Sequence, residues 1–175
     1  MSAPSVQLRP FQEADLALLA RFAVDRSLSE PFSWFGFRWP ESFRRRWEED
    51  GFLDRSPRFL AVALEDGAAI GWVVWRENER PGPGVWEIGA LIAPELRGKG
   101  VGTAAQRLLV EHLLATTTAH RIWAGTEVDN LAEQRALEKC GFRREGLLRG
   151  AYFRDGRWRD SLIYGLLRED APDPH

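Results

Sequence analysis

Apolar and polar residues alternate over residues 6–10, and apolar side chains then recur at helical spacing at Leu16, Leu19, Ala20 and Ala23. This predicts a short strand followed by a helix over residues 15–22. Residues 31–40 break the pattern: Phe32, Trp34, Phe35, Phe37 and Trp39 crowd between Pro31 and Pro40, predicting an irregular segment. Residues 42–49 read as a charged helix, with Ser42 as N-cap and Arg45 and Glu49 toward water. Two strands, residues 58–64 and 69–76, flank Glu65-Asp66-Gly67, a hairpin signal. A Pro/Gly loop over residues 77–84 leads to a third strand, residues 85–92.

Val101, Ala105, Leu108, Leu109 and His112 share one face of the next helix, residues 101–115. A strand at residues 121–126 and a short helix at residues 131–139 follow, the helix closed by Gly141. Residues 142–148 and 160–167 form the last two strands, paired across an Asp155-Gly156 turn, and residues 170–175 are expected to be a loose tail. Antiparallel strands first and alternating strands and helices later predict a mixed α/β sheet. Without repeats or low-complexity tracts, residues 1–175 are expected to make a single domain with its core over about residues 6–168.

Composition narrows the function. The chain carries 24 Lys plus Arg against 26 Asp plus Glu, a net charge of −2, so no basic field draws in nucleic acid. Apolar runs stay short of the ~18 residues of a membrane span, and the N-terminus shows no signal pattern, so no membrane partner is expected. A single cysteine, Cys140, excludes an internal disulfide and fits a reducing cytoplasm. One cysteine and 3 scattered histidines do not make a usual zinc set, and no metal is expected.

The stretch carrying chemistry is Arg97-Gly98-Lys99-Gly100-Val101-Gly102. Alternate glycines leave backbone N–H groups uncovered, and a helix opening there adds its orphan donors and the positive end of its dipole. The expected ligand is a phosphate or pyrophosphate, with Arg97 and Lys99 nearby. A nucleotide P-loop is excluded because Gly100 stands where a Ser or Thr would meet Mg²⁺. A dinucleotide fingerprint is excluded by the last glycine spacing and by the lack of a well-placed acid on the next strand.

The same stretch, preceded by Glu87-Ile88-Gly89, resembles the Arg/Gln-x-x-Gly-x-Gly/Ala motif of the GNAT acetyltransferases. Asn130, then Leu137-Glu138-Lys139-Cys140-Gly141-Phe142, resembles the family's following helix and strand start. Ile92 to Gly98, Glu145 to Arg149, Gly156 to Asp160 and Tyr164 resemble the branch of ribosomal-protein N-terminal acetyltransferases. The resemblance covers roughly Leu8 to Leu167 and is dense from Glu87 onward. It implies a mixed, mostly antiparallel central sheet, splayed and flanked by helices. It also implies acetyl-CoA as co-substrate and an amine acceptor, either a protein N-terminus or a small molecule.

The resemblance assigns roles. Leu91 and Ile92 would offer main-chain donors to the pantetheine and thioester carbonyls, an oxyanion hole with Leu91 catalytic. Gly98, Gly100, Val101, Gly102 and Thr103 would hold the pyrophosphate, with Arg97 and Lys99, and Asn130 would contact the cofactor arm besides capping its helix. An acceptor amine is mostly ammonium at neutral pH, so a base is needed, and Glu87 is the candidate; a paired structural carboxylate is the plainer alternative. The acid role is open. The usual Ser position is Glu133 and the usual Tyr position is Leu137, leaving Tyr152 as a candidate and Tyr164 more simply as pocket wall or core. Trp34, Phe35 and Phe37 either wall an acceptor pocket or pack the first helices on the sheet, and exposed rings near Trp34 would suit a homodimer. His112 and Cys140 read as packing residues, and Arg44 to Arg46 as a solvated helix face. Loss of both usual acid positions motivates a second reading, a non-catalytic acyl-CoA-binding module.

Overall fold

The computed structural model describes residues 4–78 and 82–171. Seven strands form one sheet in the order β1-β2-β3-β4-β5-β7-β6. They are β1 (Val6–Arg9), β2 (Arg58–Leu64), β3 (Ala69–Glu77), β4 (Val85–Ile92), β5 (Arg121–Glu127), β6 (Arg143–Arg154) and β7 (Arg157–Leu167). Every neighbouring pair is antiparallel except β4 and β5. Among the described residues five α-helices flank the sheet: α1 (Leu16–Val24), α2 (Arg26–Ser29), α3 (Glu41–Asp50), α4 (Val101–Thr116) and α5 (Leu131–Lys139). This is the expected mixed, mostly antiparallel α/β sheet flanked by helices. Among the described residues no helix is long and apolar enough to cross a membrane.

Alternation along the strands divides the apolar side chains between two faces. Val73, Trp75, Trp86, Ile88, Ile92, Ile122 and Leu166 pack with Val101, Ala105, Leu109 and Leu113 of α4 and Leu137 of α5. The opposite face carries Ala61, Phe59 and Trp72 under Leu16 and Leu19 of α1 and Phe43 and Trp47 of α3. Phe52 and Phe22 extend that second core through edge-to-face contacts with Phe59 and Trp72.

Local details depart from the sequence reading. α3 begins at Glu41 after Pro40, so Ser42 lies inside the first turn and its Oγ donates to the Trp39 carbonyl, 2.6 Å. Proline sets φ for a helix start and displaces the expected cap by two positions. α4 turns Gln106 and Val110 inward along with Val101, Ala105 and Leu109, whereas His112 is exposed at the sheet edge, its ring edge-on to Trp75. The final hairpin is longer than predicted. β6 runs on to Arg154 and β7 starts at Arg157, with bulges between Arg144 and Gly146 and between Leu148 and Tyr152 that interrupt the polarity pattern. Asp170 accepts from Arg143 at 3.0 Å, so the chain is still tied down there. Residues 172–175 of the expected tail and residues 79–81 of the expected loop lie outside the described residues.

Candidate active site

β4 and β5 separate. Their parallel register holds for Val85 with Arg121, Trp86 with Ile122 and Glu87 with Trp123, and goes no further. Ala93 N–H, just past β4, donates to Ile70 O of β3, and Asn78 N–H, just past β3, donates to Val85 O, so the odd-numbered residues of β4 turn their backbone groups to β3. Gly84 O accepts from His120 N, which places the even-numbered residues toward β5. The backbone groups of Ala90 and Ile92 therefore face the gap, whereas those of Leu91 belong to the β3 ladder. This corrects the expectation for Leu91: alternation along β4 hands the donor role to its neighbours.

A cavity of about 460 Å³ opens from this gap. Its walls include Ala90, Leu91 and Ile92 of β4, then Gly98, Gly100, Gly102 and Thr103 at the head of α4, and Asn130, Glu133 and Ala136 on and before α5. A segment running from Ser29 through Phe32 to Ser33 covers the far end. The glycine turn has the geometry its sequence requires. Gly98 and Gly100 have φ of +72° and +83°, a left-handed conformation that any Cβ would strain. Gly100 then serves as N-cap, and the first bond within α4 runs from Ala104 N to Gly100 O at 3.0 Å. The N–H groups of Val101, Gly102 and Thr103 precede it and have no acceptor within the helix. Free donors at a helix N-terminus are suited to an anion, and Gly102 and Thr103 line the cavity, although the Val101 side chain itself is fully buried in the core.

The charged residues of the motif divide. Lys99 is exposed. Arg97 turns away from the phosphate end: its Nε donates to Ile92 O at 2.8 Å, Nη1 to Glu30 O at 2.7 Å and Nη2 to Leu28 O. It ties the end of β4 to α2 and to the segment over the cavity, so the structure gives it a positioning part. Asn130 caps α5, its Oδ1 accepting from Glu133 N at 3.3 Å, while its side chain also lines the cavity.

The residues expected to handle protons are spread out. Glu87 is bound bidentately by Arg76, both contacts 2.7 Å, and lies where β4 and β5 are still paired. Four residues of extended chain, about 13 Å, separate it from Leu91, and it is absent from the cavity wall. The structure thus follows the structural alternative for Glu87. Tyr152 is a strand residue opposite Arg159, not part of a loop. Burial and the adjacent Glu127 carboxylate push its hydroxyl well above the ordinary tyrosine range. Glu127 itself, at the end of β5, makes a buried ion pair with Arg154, whose guanidinium lies under the Phe32 ring at 5.7 Å. Tyr152 lies against Phe35, 5.7 Å between ring centres.

The aromatic block is irregular, as expected, and only its start reaches the cavity: Phe32 lines it, whereas Trp34, Phe35 and Phe37 do not. Trp34 packs edge-on against Phe37, which is 81% exposed. Cys140 is buried, its Sγ donating to Thr103 O at 3.3 Å, and burial pushes the thiol up to about 11, so it is inert packing.

Glu127, Arg154 and Ala90 were not singled out in the sequence. Strand alternation over residues 85–92 puts Ala90 in phase with Ile92, and only the pairing with β3 shows that this phase faces the gap. Nothing local marks Glu127 and Arg154, which meet across a separation of 27 residues closed only by the hairpin.

Known proteins resemble this chain in sequence and in fold. The model of the acetyltransferase (GNAT) domain matches residues 5–143. The probable N-acetyltransferase YjcK of Bacillus subtilis is 37% identical over 117 residues, covering 67% of this chain and 65% of that protein. The chain likewise spans 68% of the length of YnaD of the same organism. Spermidine N(1)-acetyltransferase of Escherichia coli (strain K12) is 27% identical over 163 residues, 92% of this chain and 85% of that one. Among solved structures, RimJ of Mycobacterium smegmatis in complex with CoA-disulfide is 27% identical, covers 97% of this chain and 85% of its own, and superposes with a TM-score of 0.78. With most of its length matched by the family model and a RimJ protein among its structural neighbours, the chain belongs to the GNAT family of N-acetyltransferases.

Proposed function

We propose that the protein transfers an acetyl group from acetyl-CoA to a primary amine, by direct attack within a ternary complex. One observation carries this: the β4–β5 ladder stops at Glu87, leaving the backbone of Ala90 and Ile92 facing a cavity that runs to the glycine turn. The N–H groups of Val101, Gly102 and Thr103 bind the pyrophosphate, and the pantetheine arm lies along β4 with Asn130 beside it. The N–H of Ile92 or Ala90 points at the thioester oxygen, where negative charge develops as the amine adds. A preorganised donor at such a point is worth roughly 10²–10³ in rate.

The acceptor reaches the thioester past the segment containing Phe32 and Ser33. Its amine is an N-terminal α-amine or a small-molecule amine, the two classes that the names of relatives such as an N-alpha-acetyltransferase and a spermidine N(1)-acetyltransferase span. Glu87 takes no part as base, and an amine with a pKa of about 8, such as an α-amine, loses its proton to water.

Thiol release from acetyl-CoA tests the reading against spermidine, N-terminal peptides, aminoglycosides and arylalkylamines. The buried Cys140 keeps the background of a thiol reagent low. Turnover with one class establishes transfer. CoA binding without turnover would favour a binding module, and no binding would overturn the cofactor assignment.

A further inference from the structure

We propose that Glu133 is the general acid of the transfer, delivering its proton to the sulfur of the departing CoA; the inference rests on the reading of the cavity as an acetyl-CoA site. Glu133 stands in the first turn of α5 and lines the cavity between Asn130 and Ala136, across from Ala90 to Ile92. A glutamate here often folds back to the cap's own N–H. That donor is already taken, since Asn130 N–H bonds to Glu127 O at 3.0 Å. The Glu133 side chain instead turns inward to α4, where Gln106 Nε2 donates to its Oε2 at 3.3 Å. Gln106 is completely buried, so it holds the carboxyl in place. Oε2 accepts from Gln106, and among the described residues no hydrogen bond claims Oε1, which is left to hold the proton.

The surroundings favour the protonated form. Burial pushes the Glu133 carboxyl up to about 7, with the Gln106 bond opposing it. Cys140 lies close by, under the influence of Arg107 and Glu111 of α4 as well as of Glu133. The other charged side chains of the cavity wall are Glu30, Arg97, Arg135 and Lys139, and the Glu30 carboxylate is paired with Arg26. Arg97 is committed to backbone carbonyls. The hydroxyls of Ser29, Ser33 and Thr103 also line the cavity but are far weaker acids than a carboxyl, Leu137 is apolar and fully buried, and Tyr152 lies outside the cavity wall.

The step balances. The amine nitrogen bonds to the thioester carbon, the C–S bond breaks with its electron pair on sulfur, and sulfur takes the Glu133 proton. The proton shed by nitrogen returns through water to the Glu133 carboxylate, so one N–H is exchanged for one S–H.

The test is steady-state kinetics on the full chain with acetyl-CoA and the most active amine of the panel, for the wild type and for Glu133→Gln, Glu133→Ser and Glu133→Ala. Calorimetric CoA titration and melting curves accompany each variant. Glu133→Gln is expected to lower kcat by about 10²-fold with CoA affinity kept. The wild-type kcat should also fall as pH rises through about 7, a limb that disappears in Glu133→Gln. Glu133→Ser, which keeps a group able to donate a proton, should exceed Glu133→Ala. An unchanged kcat in Glu133→Gln, or a wild-type profile without the alkaline limb, overturns the acid role and leaves acetyl transfer standing. Equal losses in all three variants together with lost CoA binding make Glu133 structural and also overturn it. A wild type that binds CoA and turns over no amine overturns acetyl transfer itself, and the acid role with it.

Discussion

Arg76 grips Glu87 with two parallel contacts of 2.7 Å, from Nε to Oε2 and from Nη2 to Oε1, between residues directly opposite each other in the β3–β4 ladder. The bidentate fork occupies the carboxylate that strand position alone makes the natural base. The pair is partly solvated, with side-chain exposures of 53% for Arg76 and 23% for Glu87, so its worth is about 0–1 kcal/mol. Glu87→Gln is therefore expected to leave kcat within about threefold of wild type and to shift stability by no more than about 1 kcal/mol. A kcat loss of about 10²-fold, the scale of a missing base, would return Glu87 to the mechanism.

The glycine turn should respond differently. Gly100 combines a φ of +83° with the N-cap position of α4. An alanine there is strained by about 1–2 kcal/mol in the left-handed region and pulls the turn toward negative φ. Because the same backbone orients the N–H groups of Val101 to Thr103, Gly100→Ala should weaken CoA binding by more than its loss of stability suggests. Calorimetric titration of CoA, compared with the melting temperature of the same variant, checks this. Unchanged affinity would remove the turn from the binding site.

Glu133 makes the stability of the free protein depend on pH. Its carboxyl is pushed up to about 7 by burial, above the ordinary 4.5, so folding favours the protonated form. The unfolded chain releases that proton first, and the contribution is fully present below about 4.5. It is lost progressively as pH rises through about 7. Denaturant midpoints of the wild type should thus fall relative to Glu133→Gln between pH 4.5 and 7, and the gap should flatten above that range. Parallel midpoints across the range would show an ordinary, solvated carboxylate.

The glycine turn, the strand before it and both helices that frame the cavity were legible in the sequence, because each is fixed by local rules of φ, period and capping. Gly98 and Gly100 needed no partner to declare themselves. The site chemistry was less legible. Which β4 donors face the gap depends on how β3 pairs with that strand, and register is a property of two strands together. The partner of Glu87 is likewise a cross-strand neighbour, and the partners of Glu127 and Tyr152 arrive only when the last hairpin folds over. Arg97, the first residue of the motif, lies beside the phosphate end in sequence, yet three carbonyls from β4, α2 and its following residue claim its guanidinium. A charge beside a glycine turn marks a neighbourhood, and tertiary contacts decide what the charge does.

Gly71 provides the sharpest test of the β4 geometry. It stands opposite Ile92 in the β3–β4 ladder, and a Cβ built there would come within 2.2 Å of Leu91 O and 3.0 Å of Ile92 Cα. Both are backbone atoms, so no side chain can swing aside to admit a methyl group. Accommodation requires β4 to move at Leu91 and Ile92, the second of which turns its N–H to the cleft. Gly71→Ala should therefore lower the melting temperature by the equivalent of about 1–3 kcal/mol and reduce kcat/KM for acetyl-CoA further than that loss of folded protein explains. Gly67→Ala is the control. Its Cβ meets nothing within 4 Å, and although φ is +86°, the hairpin tip it strains lies away from the cleft. That variant should lose stability while the folded fraction keeps its wild-type kcat/KM. If Gly71→Ala behaves like the control, the close approach of β3 does not set the position of the cleft donors, and the carbonyl-polarising geometry must be held from the α4 side alone.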